Sequence, residues 1–564
     1  MSFALSTGVT GLDAHQKMLD VAGNNIANVS TTAFKASRIV FSELLSETIK
    51  KASQPTADTG GTNPQQMGSG VGVGGITPLM EQGNIVSTGN PLDMAIEGEG
   101  YFVVNDGSKN VYTRAGAFAV DANSNLVDPS TGYILQRIGS TGESEGLQIV
   151  GDSNTRIPYD TALAAKATSL IKLQGNLSAD AVSGTPQIQE LTSDVTYSAS
   201  NSTPNSDTLL TALDQYSFTS GTPFTSATIT VSGKTHDGTT ITDSTPLAVT
   251  TTTTLGNVIS HINTVLGAGA TVELSNGQII ITDATSGYSK LDVNLAFANS
   301  GDADLTMPNY FKYTTVGGEE VQNINTIIYD SQGGSHVLAG ALVRTDTNNT
   351  WEMILASVSG DATSLSYGDR HIEGIKFSNE GSFTGLDETI DDAAQFTVTF
   401  AHDAANPQTI DMDFGTIGKF NGLTQFRTGE SGTSTAVARE QDGYAAGNLI
   451  NASVNKEGVI IGSFSNGVKK DIAALQIALF KNTVGLESIG GGYFIPSANS
   501  GEAIATHGNS GGAGAVHGGA LEKSNADVAT EFIHMIEAQN GYQANARTIR
   551  VANSILQELT SLIR

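Results

Sequence analysis

His507 and His517 share one Gly-rich loop, with His507 just before the stretch Gly508–Gly519 and His517 within it, and are the nearest this sequence comes to a metal-ligating pair. A zinc site needs three or four ligands, and no third lies close by in sequence. The acidic pairs Glu319-Glu320 and Asp391-Asp392 offer carboxylates for hydrolysis or calcium, but calcium loops require Asp, Asn and Gly at closer intervals, so both pairs read as solvated loops. Gly68-Ser69-Gly70-Val71-Gly72-Val73-Gly74-Gly75 has the glycines of a phosphate cradle, without the Lys-Ser/Thr or the βαβ setting that would make it one. Asp413-Phe414-Gly415 spells a kinase triplet, with none of the other kinase signatures around it. No H-E-x-x-H occurs. With no Cys, thiolate metal sites, cysteine nucleophiles and disulfides are excluded. The sequence predicts no catalytic residue, no cofactor and no metal, and hence no enzyme.

The chemistry that remains is that of helix association. Val528, Met535, Tyr542, Ile549, Leu556 and Ile563 recur every seven residues at the C-terminal end, and Leu5, Leu12, Leu19 and Ile26 do so at the N-terminal end. A seven-residue apolar repeat is the seam of a helix that needs a partner helix to cover it. A second line of smaller residues, Ala538, Asn545, Ala552 and Leu559, follows the C-terminal seam three residues on. Small residues permit close helix approach, and Asn545 can fix register. Such a helix could equally be a core helix of its own domain. Its length and the Gly-rich joint before it favour a terminal or intersubunit coiled coil, a stalk from which everything else is looped out.

The composition fits such a scaffold. The 564 residues carry a formal net charge of −28, although only 15% are charged. Residues 180–425 hold 28 acidic against 7 basic side chains, while 521–564 hold 5 against 4. Excess negative charge argues against nucleic acid and against an anionic membrane surface. The nearly neutral ends can pack against copies of themselves. No run of about 18 apolar residues is present to span a membrane, and residues 1–30 lack the pattern of a Sec signal.

Along the chain, residues 4–28 read as one helix ending near Asn28, where Gly23-Asn24-Asn25 tolerates left-handed backbone. Ile39, Val40, Leu44, Leu45 and Ile49 suggest a second helix over 36–50, and 51–75 a linker. Strands are expected at Met94–Ile96, Tyr101–Val104, Val111–Thr113, Asn325–Tyr329, Gln395–Phe400, Gly458–Phe464 and Leu475–Phe480. Leu255, Val258, Ile259, Ile262, Val265 and Leu266 follow the cap-like Thr254 at helical spacing.

Several stretches resemble the bacterial flagellar rod and hook proteins. They are Ser6-Thr7-Gly8, Leu12, Gly23-Asn24-Asn25-Ile26-Ala27-Asn28 and Thr31-Thr32-Ala33-Phe34-Lys35, with Ala33 where the family usually has Gly. Further on stand Gly83-Asn84-Ile85, Thr88 to Ile96, Gly100-Tyr101-Phe102 and Tyr112 to Phe118. Near the other end stand Ser524-Asn525, Met535-Ile536, Ala538-Gln539 and Tyr542-Gln543-Ala544-Asn545. Gln441 to Gly447 resembles the return of the hook-type chain into its inner domain.

The expected architecture is mainly β, multidomain and nested, with discontinuous β domains and an α-helical coiled coil made from both termini. Its parts are 1–30 with 525–564 (coiled coil), 31–75 (linker or extended arm) and 76–150 with 426–524 (inner β domain). Residues 151–180 with 311–425 form the middle β domain, and 181–310 an outer insertion. The expected assembly residues are Leu5, Leu12, Leu19, Asn24, Asn25, Ile26, Met535, Tyr542, Asn545, Ile549, Leu556 and Ile563. The resemblance implies a structural subunit of the flagellar hook, self-assembling into a flexible helical tube that transmits torque. It also implies an extracellular place, export without a cleaved signal, and contacts with rod proteins, the hook cap, hook–filament junction proteins and the export apparatus. A distal rod or junction protein is the rival within the family; a coiled-coil-stalked adhesin is the rival outside it.

Overall fold

The computed structural model describes residues 3–159, 161–180, 185–387, 393–428 and 433–562; Asp391-Asp392 and Ile563 lie outside the described residues. Among these, the α-helices are α1 (Phe3–Ala27), α2 (Leu255–Leu266), α3 (Tyr367–Arg370) and α4 (Val528–Leu562), and the rest of the regular structure is overwhelmingly β. The protein is a mainly β, multidomain chain. It divides into two units, Met1–Leu163 with Gly447–Arg564, and Ala164–Ala446. No described helix is long and apolar enough to cross a membrane.

The first unit is discontinuous in sequence, and its two halves are stitched together by strand pairing. Ile477–Leu479 and Tyr493–Ile495, from after the excursion, pair with Tyr101–Asn105 and Asn110–Thr113, from before it, in a nine-stranded sheet. Val516 pairs with Ile96, and Leu521 with Val86. The core beneath is aromatic: Tyr112 and Phe480 meet edge-on at 4.9 Å, and Tyr101 meets Phe494 at 5.9 Å. Such pairs contribute about 0.5–1.5 kcal/mol beyond the area they bury.

Residues 36–50 are not helical. They form β1 (Ser37–Glu43) and β2 (Ser46–Lys50), and the Gly-rich stretch supplies their partners, β3 (Gln65–Gly68) and β4 (Val71–Pro78). β1 runs antiparallel to β4 and β2 to β3. Ile39, Val40 and Phe41 are β-branched or aromatic and gain from a flat partner. Gly70, between β3 and β4, has a packing reason: a Cβ there would collide with Thr10 of α1.

In the second unit, one sheet separates two cores. Its order is Val321–Tyr329, Ser335–Arg344, Thr350–Val358, His371–Phe377 and Phe383–Leu386. Ala341, Val343 and Ile354 face a core built mostly from residues 191–316. Leu338, Leu342, Trp351, Met353 and Leu355 face a second core with Phe396, Ile410 and Phe414. Side chains alternate along a strand, so Ser335–Arg344 and Thr350–Val358 each feed both cores. This explains why Thr350–Val358 is buried along most of its length. On the first face α2 is closed by a reciprocal capping box, with Asn257 N donating to Thr254 Oγ1 (3.3 Å) and Thr254 N to Asn257 Oδ1 (2.8 Å).

A buried polar network joins residues of the 191–316 core to the dividing sheet and to α3. Arg370 pairs with Asp292 and donates to Phe311 O (2.6 Å). Glu352 accepts from Tyr288 and pairs with His371, whose Nε2 lies 2.9 Å from Tyr313 Oη. Where the chain enters and leaves this unit, Asp442 binds four donors: Lys166 Nζ (2.6 Å), Ser169 Oγ (2.7 Å), Ser169 N (2.8 Å) and Leu170 N (2.9 Å).

Candidate assembly interface

α1 and α4 lie side by side and meet on their smallest residues. Gly8, Gly11, Ala14, Ala22, Ala538 and Ala552 are buried. A Cβ at Gly11 would lie 2.7 Å from Asn545 Oδ1, and one at Gly8 2.9 Å from Ile549 Cγ1. One at Gly541 would strike the His15 ring. Each helix therefore inserts side chains over glycines of the other, and close approach depends on those glycines. Asn545 Nδ2 donates to Gly541 O of its own helix (2.9 Å), which holds the amide over Gly11. Asp527 caps the start of α4, accepting from Thr530 Oγ1 (2.6 Å). That bond, with those from the Ala529 and Thr530 amides, holds the carboxyl below its ordinary pKa.

Ala538, Asn545 and Ala552 of the line of small residues thus make the contact within the pair, whereas Leu559 stays half exposed. The residues at sevens flank it. Leu5, Leu12, Leu19, Ile26, Met535, Tyr542 and Ile549 are half-buried, and Leu556 is 41% exposed. Asn24 is exposed, whereas Asn25 is buried. On the outer faces Phe3, Val9, Phe532, Ile533, Ile536, Val551, Ile555 and Leu559 stand open to solvent, Ile536 at 57% and Val551 at 60%. Val551, Ile555 and Leu559 recur every four residues and form one stripe.

A buried clasp at the base of the helix pair was not foreseen from sequence. Asn25 Nδ2 donates to Ser37 O (2.8 Å) and to Glu531 Oε1 (3.0 Å), while Ser37 N donates back to Asn25 Oδ1 (2.9 Å). Asn525 Nδ2 donates to Leu79 O (2.8 Å), and its Oδ1 accepts from Ala36 N (2.8 Å). At the centre is Glu522, with a fully buried carboxylate. It receives Lys35 Nζ at 2.6 Å, Gly83 N at 2.9 Å and Arg114 Nη1 at 3.4 Å. Burial lowers the Lys35 pKa, against the opposing pull of Glu522. Burial also pushes Tyr101, beneath the Arg114 guanidinium, up to about 12. Lys35, Arg114 and Asn525 lie within stretches noted in the sequence, yet nothing in their spacing joins positions so far apart.

The motifs weighed for chemistry have structural roles. Asp413 Oδ1 accepts from Gly415 N (2.9 Å), and Phe414 is buried in a core. His517 Nε2 lies 2.5 Å from Glu97 Oε2, and His507 turns to its own loop at Gly508 O (3.1 Å). Gly508-Asn509-Ser510-Gly511-Gly512 has the spelling of a nucleophile elbow. It sits in a strand–turn–strand connection rather than the strand-to-helix turn such an elbow requires.

Four family descriptions match this chain in order. Residues 5–35 match "Flagella basal body rod protein" and 95–178 match "Flagellar hook protein FlgE/F/G D1 domain". Residues 302–444 match "Flagellar basal body protein FlaE D2 domain" and 517–562 match "Flagellar basal body rod FlgEFG protein C-terminal". The flagellar hook protein FlgE of Borreliella burgdorferi is 28% identical over the full length of both chains, and that of Treponema pallidum 29%. The chain belongs to the flagellar hook protein family. The hook protein of Escherichia coli is 26% identical over 99% of this chain and all of its own. A solved structure of the Helicobacter pylori flagellar hook protein FlgE2 covers 78% of this chain and 100% of its own, with a TM-score of 0.39 and 16% identity. The helix pair falls on the first and last of the matched segments, as do Asn25, Lys35, Glu522, Asn525 and Glu531 of the clasp, while Arg114 falls on the second; Ala33, in the first, takes φ 56°, the left-handed backbone that a family Gly would adopt without strain.

Proposed function

We propose that copies of this chain join through the apolar faces that the α1–α4 pair leaves open. The chain is a structural subunit of the flagellar hook. The paired terminal helices act as a coiled coil that lines a flexible helical tube, and the tube carries torque to the filament. The observation that carries this reading is the exposed row Ile533, Ile536, Val551, Ile555, Leu556 and Leu559. These side chains are about half exposed, so covering them yields roughly 5–9 kcal/mol in all. Association costs about 4–15 kcal/mol. One contact is therefore marginal, and a copy is held firmly only when several neighbours cover it. A heterologous contact that does not close on itself gives that arrangement as a helical filament.

Around the tube the domains follow the nested chain order: 31–75 as an arm, 76–150 with 426–524 innermost, 151–180 with 311–425 in the middle and 181–310 outermost. The two cores of the second unit support this division. Export through the flagellar apparatus without a cleaved signal, an extracellular hook location, and contacts with rod, cap and junction proteins belong to the same reading. So does a purely mechanical, non-enzymatic role. Full-length similarity to hook proteins, central region included, disfavours the distal-rod and adhesin alternatives. The test is electron microscopy of material sheared from cells that express only Ile536→Asp or Leu556→Asp. Monomer folding should survive, and tubes should be lost because an unpaired carboxylate enters every subunit contact at several kcal/mol. Normal curved tubes from both variants would refute the seam.

A further inference from the structure

In a chain with 6% aromatic residues, one loop and the strand that follows it display two stacked phenylalanines to solvent. The loop connects Gln408–Asp413 to Leu423–Phe426 in the second unit. Ile417 is 67% exposed and Phe420 56%, and Phe420 stacks on Phe426 with centroids 5.7 Å apart. The loop is pinned at its neck and across its middle. Leu423 N donates to Phe414 O (2.8 Å), Thr416 N to Asn421 Oδ1 (3.0 Å), Asn421 Nδ2 to Thr416 Oγ1 (3.0 Å) and Gly418 N to Phe383 O (2.8 Å). A pre-ordered apolar display has already met the entropy cost of holding its shape, which is the property of an interface anchor.

The charge around it is unlike the rest of the unit. Lys419 stands at the loop tip, and Arg427, which follows Phe426 directly, keeps its side chain 85% exposed with Nε 3.8 Å from Asp180 Oδ1, a surface pair that salt and solvent screen. Lys172 and Arg439 line the cleft beside Asn421. Lys172 is paired with Glu440 at 3.3 Å, and Asp413 in the same lining offsets Arg439, so the cleft itself is close to neutral. The cations at the tip and rim stand out against a region with 28 acidic and 7 basic residues. Two such acidic units repel unless their contact is apolar and edged with positive charge.

We propose that the Ile417–Phe420–Phe426 knob docks on the acidic second unit of a neighbouring copy of this chain, with Lys419 and Arg427 facing its carboxylates. This rests on the tube reading but concerns a contact apart from the terminal helices. The test places a photo-cross-linking benzoylphenylalanine at position 420, or at 417 if the first variant folds poorly, in tubes assembled in cells. Irradiation should give intersubunit adducts that map to acidic peptides within 164–446 of the second copy. Lys419→Glu with Arg427→Glu should cut their yield at least fivefold with no change in monomer melting. Tubes that form normally but give no intersubunit adduct would overturn the proposal, as would adducts to another protein or to residues 1–163 or 447–564. Absence of tubes from the unmodified chain would instead overturn the tube reading, so the two failures are distinct.

Discussion

Ala33 shows how closely a single methyl can be balanced. At φ 56° an L-residue bears roughly 1–2 kcal/mol of backbone strain. Against this, the buried methyl contributes about 0.8 kcal/mol, and Ala loses less chain entropy than Gly by about 0.5–1 kcal/mol. The sum is close to zero, which explains why Ala can stand where the family resemblance implies Gly. Ala33→Gly should therefore shift the denaturant midpoint of the monomer by less than about 0.5 kcal/mol, whereas Ala33→Val should cost 2 kcal/mol or more, because a β-branched residue is a severe outlier at positive φ. A gain above about 1 kcal/mol from Ala33→Gly would show that strain dominates. Asp442 is balanced differently. Burial alone would raise its pKa, but the bonds from Lys166, Ser169 and Leu170 outweigh this and hold the carboxyl well below the usual range. A depressed carboxyl contributes stability above its unfolded pKa near 4, and that contribution is lost as pH falls towards the folded value. The melting temperature of the second unit should fall below about pH 4, with a shallower acid limb in Asp442→Asn, which should already be weaker at pH 7 by roughly 1–2 kcal/mol. Parallel acid limbs in the two proteins would remove Asp442 from the account.

Helices declared themselves through spacing and caps, as α2 shows with Thr254 and Asn257 reciprocally bonded. The two terminal helices were equally legible, but the role of their seams was not. Heptad leucines and isoleucines draw the eye; Ala538 and Ala552 stood out as a line of small residues, but the pair also closes on Gly8, Gly11 and Gly541, whose lack of side chain leaves no hydrophobic signal. β1 and β2 were obscured for the opposite reason: Ile39, Val40, Leu44, Leu45 and Ile49 fit a helical stripe nearly as well as a strand, and the partner β4 is rich in glycine, which strands usually avoid. The clasp drew on residues hundreds of positions apart, and no local pattern announces such a meeting. Because the pair depends on glycine, Gly11→Val should push the helices apart. We expect the variant to lose protease protection of both termini together while the β core stays resistant. Unchanged protection would mean that the helices tolerate a wider spacing than their packing suggests.

The sheet with two cores changes what can be removed from the molecule. Exchanging residues 181–310 for a Gly-Ser linker looks harmless in a nested plan. It would strip Asp292 from Arg370 and Tyr288 from Glu352, both fully buried, and uncover Ala341, Val343 and Ile354. An orphaned buried charge costs about 3–5 kcal/mol. The simple exchange should therefore destabilise residues 164–446 in thermal melts, and the same exchange with Arg370→Met and Glu352→Gln should recover part of the loss and still build tubes. A simple exchange that melts like the parent would show the outer region to be energetically separate. The clasp at Glu522 has a consequence of another kind: it acts as a test of completeness. Lys35 and Arg114 are translated early, and their counter-charge arrives only when the chain is almost finished. A product ending before residue 522 would have to bury two cations without an anion, so the place meant for the N-terminal arm would stay unmade. Such a fragment should therefore fail to join the assembly. Mixing a chain truncated after Leu521 with full-length protein should leave tube composition free of the fragment by mass spectrometry; fragment incorporated in proportion to its supply would mean that the clasp exerts no such selection.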